Sequence, residues 1–177
     1  MSARADWEAL LQMLSPQSGQ KILDVGAGKG ELAGQVSKIA ADIEVHAIDP
    51  NPDKVEAITR DHPSVKASTS GAESLPFPDA SFDKVYTTMA LHHYADLDKA
   101  LKEIGRVLKP GGSFVVLEVE PSSAKGLMFR VFGRIMGEHM TLMTAEQLSK
   151  RLDSSGNLKV VRSAAVGSGY LILLSRV

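Results

Sequence analysis

The run Ile22-Leu23-Asp24-Val25-Gly26-Ala27-Gly28-Lys29-Gly30 constrains this chain more than any other stretch. Apolar residues of β-strand character break into glycines at alternate positions, and the chain from Glu31 onward reads as helix. Such glycines let the backbone take positive φ and let a ligand approach where a Cβ would clash. Val45-His46-Ala47-Ile48 is a second apolar strand, and it ends in a carboxylate, Asp49. A strand, a glycine turn, a helix and a second strand ending in an acid build a nucleotide-binding βαβ unit. The acid can accept hydrogen bonds from both ribose hydroxyls, so the ligand expected is a small molecule containing adenosine.

The remaining chain continues the alternation. Trp7, Leu10, Leu11 and Leu14 recur at helical spacing, which places an opening helical segment within residues 1–19, ending before Pro16. Strands are expected at Lys21 to Val25, Ile43 to Ile48, Val65 to Ser68, Phe82 to Thr88 and Phe114 to Val119. Helices are expected at Glu31 to Ile39, after the Asn51-Pro52 cap with Val55 and Ile58 buried, and through Leu97, Leu101, Ile104 and Leu108. Lys109-Pro110-Gly111-Gly112 reads as the turn that ends this last helix. Thr144 and Gln147 form a capping box for a further helix to about Ser154, with Gly156 just past it. Leu158 to Val166 and Tyr170 to Val177 flank Gly167-Ser168-Gly169, which favours an antiparallel hairpin. Helices separate the first five strands, so these should be parallel.

Composition narrows the partners. The 177 residues suit one domain with a full core. The formal charge of -1 gives no field for nucleic acid, and no apolar run approaches the ~20 residues of a membrane span. No nucleic-acid partner and no integral membrane association are expected, and a cytoplasmic location is the default expectation. The chain has no cysteine, so disulfides, thiol nucleophiles and thiolate metal sites are excluded, and no metal is expected.

Two cofactor classes share the glycine turn. Dinucleotide enzymes use Gly-x-Gly-x-x-Gly, with a pyrophosphate at the helix N-terminus. Here Glu31 stands where the third glycine would fall, and a carboxylate there repels a pyrophosphate. S-adenosylmethionine carries a sulfonium and an ammonium and no phosphate, so Asp24, Glu31 and Asp49 suit it better.

Further motifs follow in order: Ala72-Glu73-Ser74-Leu75-Pro76-Phe77 before Ser81-Phe82-Asp83, then Leu91-His92-His93, then Arg106 to Gly112. With the glycine run and Asp49, these resemble the class I S-adenosylmethionine-dependent methyltransferases, in particular the small-molecule group that includes the ubiquinone/menaquinone biosynthesis C-methyltransferases. The resemblance covers roughly residues 20–120, with a compatible tail. It implies an α/β Rossmann-like, doubly wound sheet of seven strands in the order 3-2-1-4-5-7-6, with the last strand antiparallel. It implies that Gly26, Ala27, Gly28 and Gly30 line the methionine part of the cofactor and that Asp24 helps hold its ammonium, directly or through water. Asp49 would take the ribose hydroxyls, Pro50 or Asn51 would lie against adenine, and Ala72 and Glu73 would read the adenine edge. Relatives commonly carry an acid just before that alanine. This chain has Gly71, so a backbone or Glu73 contact is expected instead.

The function expected is methyl transfer from S-adenosylmethionine to a small-molecule carbon, nitrogen or oxygen nucleophile by in-line displacement. The alternative is a non-catalytic subunit of the same fold that binds or activates a partner, and the intact cofactor motifs speak against it. Met89 to His93, at the end of the fourth strand, is the expected methyl-bearing side of the site. His92 and His93 are candidate bases, although closing the pocket or capping the next helix is the plainer role for such a pair. Leu127, Met128, Val131, Phe132, Ile135 and Met136 form one helical stripe, and Met140 and Met143 follow. Residues 126–143 are therefore core packing, a lid over an apolar acceptor, or the face of a homodimer.

Overall fold

A computed structural model describes residues 3–136, 141–153 and 157–177. The described elements run α1 (Ala3–Leu14), β1 (Lys21–Val25), α2 (Glu31–Val36), β2 (Glu44–Asp49), α3 (Pro52–Asp61), β3 (Val65–Thr69) and β4 (Phe82–Thr88). They continue through α4 (Leu97–Val107), β5 (Leu108–Val119), α5 (Ala124–Met136), α6 (Ala145–Asp153), β6 (Leu158–Val166) and β7 (Gly169–Arg176). A single 3-10 turn, Leu91–His93, follows β4.

The strands form one sheet in the order β3-β2-β1-β4-β5-β7-β6. Pairs among the first five strands are parallel, and β7 runs antiparallel to both β5 and β6. This is the doubly wound sheet and strand order expected from the resemblance. Side chains alternate across each strand, and two apolar layers result. Leu23, Val25, Val85 and Phe114 pack with α4 and α6, while Ile22, Val45, Tyr86 and Val115 pack with Leu10, Leu14, Leu32 and Ile58 from α1 to α3. The order reverses at β1, between β2 and β4, and a ligand crevice belongs beyond the carboxyl ends of strands at such a switch point.

Local caps follow their residues. Asn51 Oδ1 accepts the Asp53 N–H at 2.9 Å and opens α3 with Pro52 at its first position. Thr144 Oγ1 accepts the Gln147 N–H at 3.2 Å, and Gln147 Oε1 accepts the Thr144 N–H at 3.0 Å, completing the capping box. Asp83 accepts the Lys21 N–H at 2.8 Å and pairs with Lys109 Nζ at 2.7 Å, tying the start of β1 to β5.

Two boundaries differ from expectation by more than one residue. The second helix stops at Val36 rather than Ile39, because Lys38 and Ile39 donate to Gln35 and Val36 in tighter i→i−3 bonds. Ile39 is 46% exposed, so no burial rewards another helical turn. The turn at Lys109 to Gly112 is a bulge inside β5 rather than a connector: Phe82 pairs with Leu108 and Lys84 with Ser113, and Gly111 takes φ 76°. Ser154, Gly156 and Met140 lie outside the described residues.

The capping box is the clearest local test. Thr144→Ala removes one acceptor for an orphan helix N–H and should lower stability by about 1 kcal/mol, read from urea midpoints at unchanged slope. An unchanged midpoint would mean that α6 is held by the packing of Leu148 and Leu152 alone.

Candidate functional site

A cavity of about 820 Å³ opens beyond the carboxyl ends of β1, β2 and β4. That volume suits a small molecule of drug or cofactor size. Its floor is the glycine turn. Gly26, Gly28 and Gly30 have φ 79°, 60° and 79°, a region that L side chains rarely adopt. A Cβ at Gly26 would lie 2.6 Å from Ala90 Cβ, and one at Gly30 would lie 2.8 Å from Ile58, whereas a Cβ at Gly28 would meet open space. Gly26 and Gly30 therefore serve packing, and Gly28 leaves room on the cavity side.

Asp49 ends β2 on the cavity wall and is 3% exposed. Its Oδ2 accepts the Gly28 N–H at 2.9 Å and its Oδ1 accepts the Asn51 N–H at 3.0 Å. Each carboxylate oxygen keeps a free lone pair for a ligand hydroxyl. Lys54 Nζ stands 3.6 Å from Oδ2 and also lines the cavity.

The loop after β3 forms the next wall. Ala72 and Glu73 line the cavity, and Glu73 Oε1 accepts the Ala95 N–H at 2.8 Å. A Cβ at Gly71 would lie only 2.9 Å from Glu73 Oε2. The Glu73 carboxylate thus fills the space that a side chain at position 71 would use. Residue 71 lacks an acid, and its neighbour brings one to the same place.

The wall after β4 is the most polar. Met89 lines the cavity at φ 51°, unusual for a residue with a Cβ, and its N–H is held by Leu117 O at 2.8 Å. The His92 imidazole also lines it. Its Nδ1 lies 2.9 Å from both oxygens of Glu118, and both side chains are 2% exposed. A carboxylate only accepts, so Nδ1 carries the proton and Nε2 is left for a ligand. The Tyr94 hydroxyl sits 3.0 Å from Thr87 Oγ1 and 3.3 Å from Val25 O, pinning this loop to the end of β1, and burial raises its pKa. Phe129 and Phe132 of α5 close the apolar side.

Of the residues expected from sequence, Gly26, Ala27, Gly28, Asp49, Pro50, Ala72, Glu73, Met89, His92 and His93 line the cavity. Asp24, Gly30 and Asn51 do not, and Glu31 is exposed away from it. Asp24 shares a face with Ile22 by strand alternation and pairs in register with Tyr86. Burial pushes its pKa up to about 7. The donor hydroxyl of Tyr86 beside the carboxyl lowers it and the Asp49 charge raises it further. Asp24 Oδ1 and the Tyr86 hydroxyl nevertheless miss hydrogen-bond geometry, and both are buried without a partner among the described residues. Lys54 and Tyr94 are lining residues that sequence reasoning missed. Lys54 lies one helical turn past the Asn51 cap, a spacing that could have flagged it.

Known proteins resemble this chain in both sequence and fold. Residues 23–116 match the family described as "Methyltransferase domain". The ubiquinone/menaquinone biosynthesis C-methyltransferase UbiE of Rubrivivax gelatinosus is 38% identical over 109 residues, covering 61% of this chain and 43% of that protein. The demethylmenaquinone methyltransferase of Thermus thermophilus is 38% identical over 124 residues, covering 64% of this chain and 54% of that protein. The chain spans about half the length of these curated relatives. Among solved structures, an S-adenosylmethionine-dependent methyltransferase from Mesorhizobium loti superposes with TM-score 0.83 at 20% identity, covering 97% of this chain and 98% of that one. A comparable protein from Aquifex aeolicus gives 0.82 at 20% identity, covering 100% and 94%. At that identity these two speak for the fold.

The buried acid beneath the glycine turn sets a pH dependence. The folded state holds the Asp24 proton more tightly than the unfolded chain, whose ordinary value is 3.8. Its contribution to stability is full below about pH 4 and is lost as pH rises through about 7. Asp24→Asn removes that loss. Relative to wild type, the variant should gain stability from about pH 4 to pH 8, on the order of a few kcal/mol at the upper end. Parallel stability profiles for the two proteins would show that Asp24 ionises as freely when folded as when unfolded.

Proposed function

The chain belongs to the methyltransferase domain family, and on that premise we propose that it transfers a methyl group from S-adenosylmethionine to a small apolar acceptor. One opening is shared by Asp49, the glycine turn, the Met89–His92 wall and the two phenylalanines of α5, and that sharing carries the proposal. Asp49 binds the ribose hydroxyls through its remaining lone pairs. Gly28 leaves the methionine portion its space. Ala72 presents its backbone to adenine, and the Glu73 carboxylate stands in for an acid at position 71. Asp24, buried and unpartnered at Oδ1 behind the turn, becomes the partner of the ligand ammonium, directly or through water, and that cation draws its raised pKa back down.

When bound, S-adenosylmethionine supplies an activated methyl group whose bond to sulfur breaks as the acceptor attacks, with sulfur keeping the electron pair. The protein's part is alignment and exclusion of water. Phe129 and Phe132 provide an apolar wall against which an acceptor ring can lie. The curated relatives are named for C-methylation and for demethylmenaquinone methylation, which favours a carbon acceptor here. A ring carbon ortho or para to a hydroxyl becomes nucleophilic when that hydroxyl loses its proton, and after the methyl group arrives the same carbon sheds its hydrogen as a proton while the ring oxygen is reprotonated, restoring the aromatic ring. His92 Nε2 accepts the hydroxyl proton, while Glu118 fixes the tautomer and stabilises the imidazolium that forms. His92 is then the base and Glu118 its positioning residue.

Two measurements test this. Asp49→Ala removes a charged acceptor for two hydroxyls, so affinity for S-adenosylhomocysteine should fall roughly ten- to hundred-fold by calorimetry, from about 1.5–3 kcal/mol. Nicotinamide dinucleotides should give no heat with wild type. Tight binding of those, or an unchanged dissociation constant in the variant, contradicts the cofactor assignment.

The base is tested by turnover of labelled methyl groups on phenols and hydroquinones carrying apolar substituents. His92→Asn should lower kcat roughly 10²- to 10⁴-fold with cofactor affinity retained. Glu118→Gln should lower kcat less and displace the pH profile. Turnover by both variants within about twofold of wild type would make the pair structural.

A further inference from the structure

Helix α5 is docked the wrong way round for a helix that serves a core. At 100° per residue, Leu127, Met128, Val131, Phe132 and Ile135 fall in one contiguous arc. They are 57%, 57%, 52%, 56% and 75% exposed. The opposite side carries Gly126 and Gly133, both buried. A Cβ at Gly126 would lie 2.3 Å from Glu120 O and 2.8 Å from Pro121 Cα, so the glycine side is pressed against the body of the protein. An amphipathic helix of a globular domain normally turns its apolar stripe inward. Here the apolar stripe faces solvent, next to the mouth of the cavity that Phe129 and Phe132 line.

The charges on this helix are arranged around the stripe. Lys125 flanks one edge, and Arg130 and Arg134 flank the other. No acidic residue lies between Ala124 and Met136, in a chain whose formal charge is -1. Long basic side chains on both shoulders of an outward apolar stripe can reach lipid phosphates while the stripe enters the acyl boundary. An aqueous protein partner would not require cations on both shoulders, and the positive charge of two like faces would oppose a symmetric pairing of this helix with itself.

We propose that the outward face of α5 adsorbs to the surface of an anionic lipid bilayer, with Leu127, Met128, Val131 and Ile135 inserted and Lys125, Arg130 and Arg134 at the headgroups. No described helix is long and apolar enough to cross a membrane, so the contact is peripheral. It is reversible, because a single short helix provides modest buried area. Adsorption depends on neither methyl transfer nor cofactor, and it brings the cavity mouth to the lipid boundary.

The test is co-sedimentation of the full chain, without cofactor, with vesicles of equal parts phosphatidylglycerol and phosphatidylcholine and with vesicles of phosphatidylcholine alone. Wild type should partition to the anionic vesicles and be released by high salt. The double variant Arg130→Gln/Arg134→Gln should bind roughly thirty-fold more weakly. Leu127→Ser/Ile135→Ser should lose binding to the anionic vesicles. These positions are exposed and off the cavity wall, so circular dichroism and cofactor affinity should match wild type in both variants. Wild type that stays in the supernatant with either vesicle overturns the proposal, as does partition that neither double variant changes. A dimer in sedimentation velocity that dissociates in Leu127→Ser/Ile135→Ser also overturns it, since a second copy would then cover the face.

Discussion

The carboxylate of Asp49 holds the site together. It sits at the carboxyl end of β2, nearly out of contact with solvent, and takes one N–H from the glycine turn and one from the residue that caps α3. Hydrogen bonds to an ionised acceptor are roughly twice as strong as neutral ones. Ile48 O adds the Gly26 and Ala27 N–H groups at 2.9 Å each. The end of β2 therefore fixes the turn after β1 and the start of α3 together. Three positive-φ glycines in succession would otherwise leave this floor loosely defined. The cavity exists in its described form because one strand end ties two neighbouring segments into a common edge.

Much of this was legible in the sequence, for a physical reason. Parallel strands separated by helices leave few topologies, and Gly-x-Gly with a downstream acid marks the switch point of such a sheet. Asn51-Pro52 and Thr144/Gln147 were readable because caps are local: a few adjacent residues determine them. Asp24 shows where such reasoning stops. Its place in the glycine motif implies a role toward the ligand ammonium, directly or through water, and the motif does not reveal that the side chain lies on the face of Ile22, beside Tyr86 and off the cavity wall. The contact of Glu118 with His92 was invisible, because the two lie far apart along the chain and only the pairing of β4 with β5 brings them together. Tyr94 was missed for a similar reason, as it gains its meaning from the fold of the loop after β4 and not from a spacing.

The methionine-bearing stripe divides in the structure. Met143 packs against the core, and its carbonyl accepts the Tyr170 hydroxyl at 2.8 Å, whereas Met128 on α5 is exposed. Helical periodicity alone identifies a stripe but not the direction it faces. Gly126 decides the direction, since a Cβ there would collide with the backbone at Glu120 and Pro121, and Gly133 is buried on the same side of the helix. The same helix contributes Phe129 to the cavity and Leu127 to the outer face, so it is both the apolar wall of the site and a boundary to its surroundings.

A crystal structure with S-adenosylhomocysteine bound tests the central assignment most directly. Both ribose hydroxyls are expected on the Asp49 carboxylate, adenine against Ala72 with Glu73 beside its amino group, and sulfur directed toward Met89 and His92, with space for an acceptor against Phe129. A ligand seated elsewhere, or one whose ribose turns away from Asp49, would contradict it.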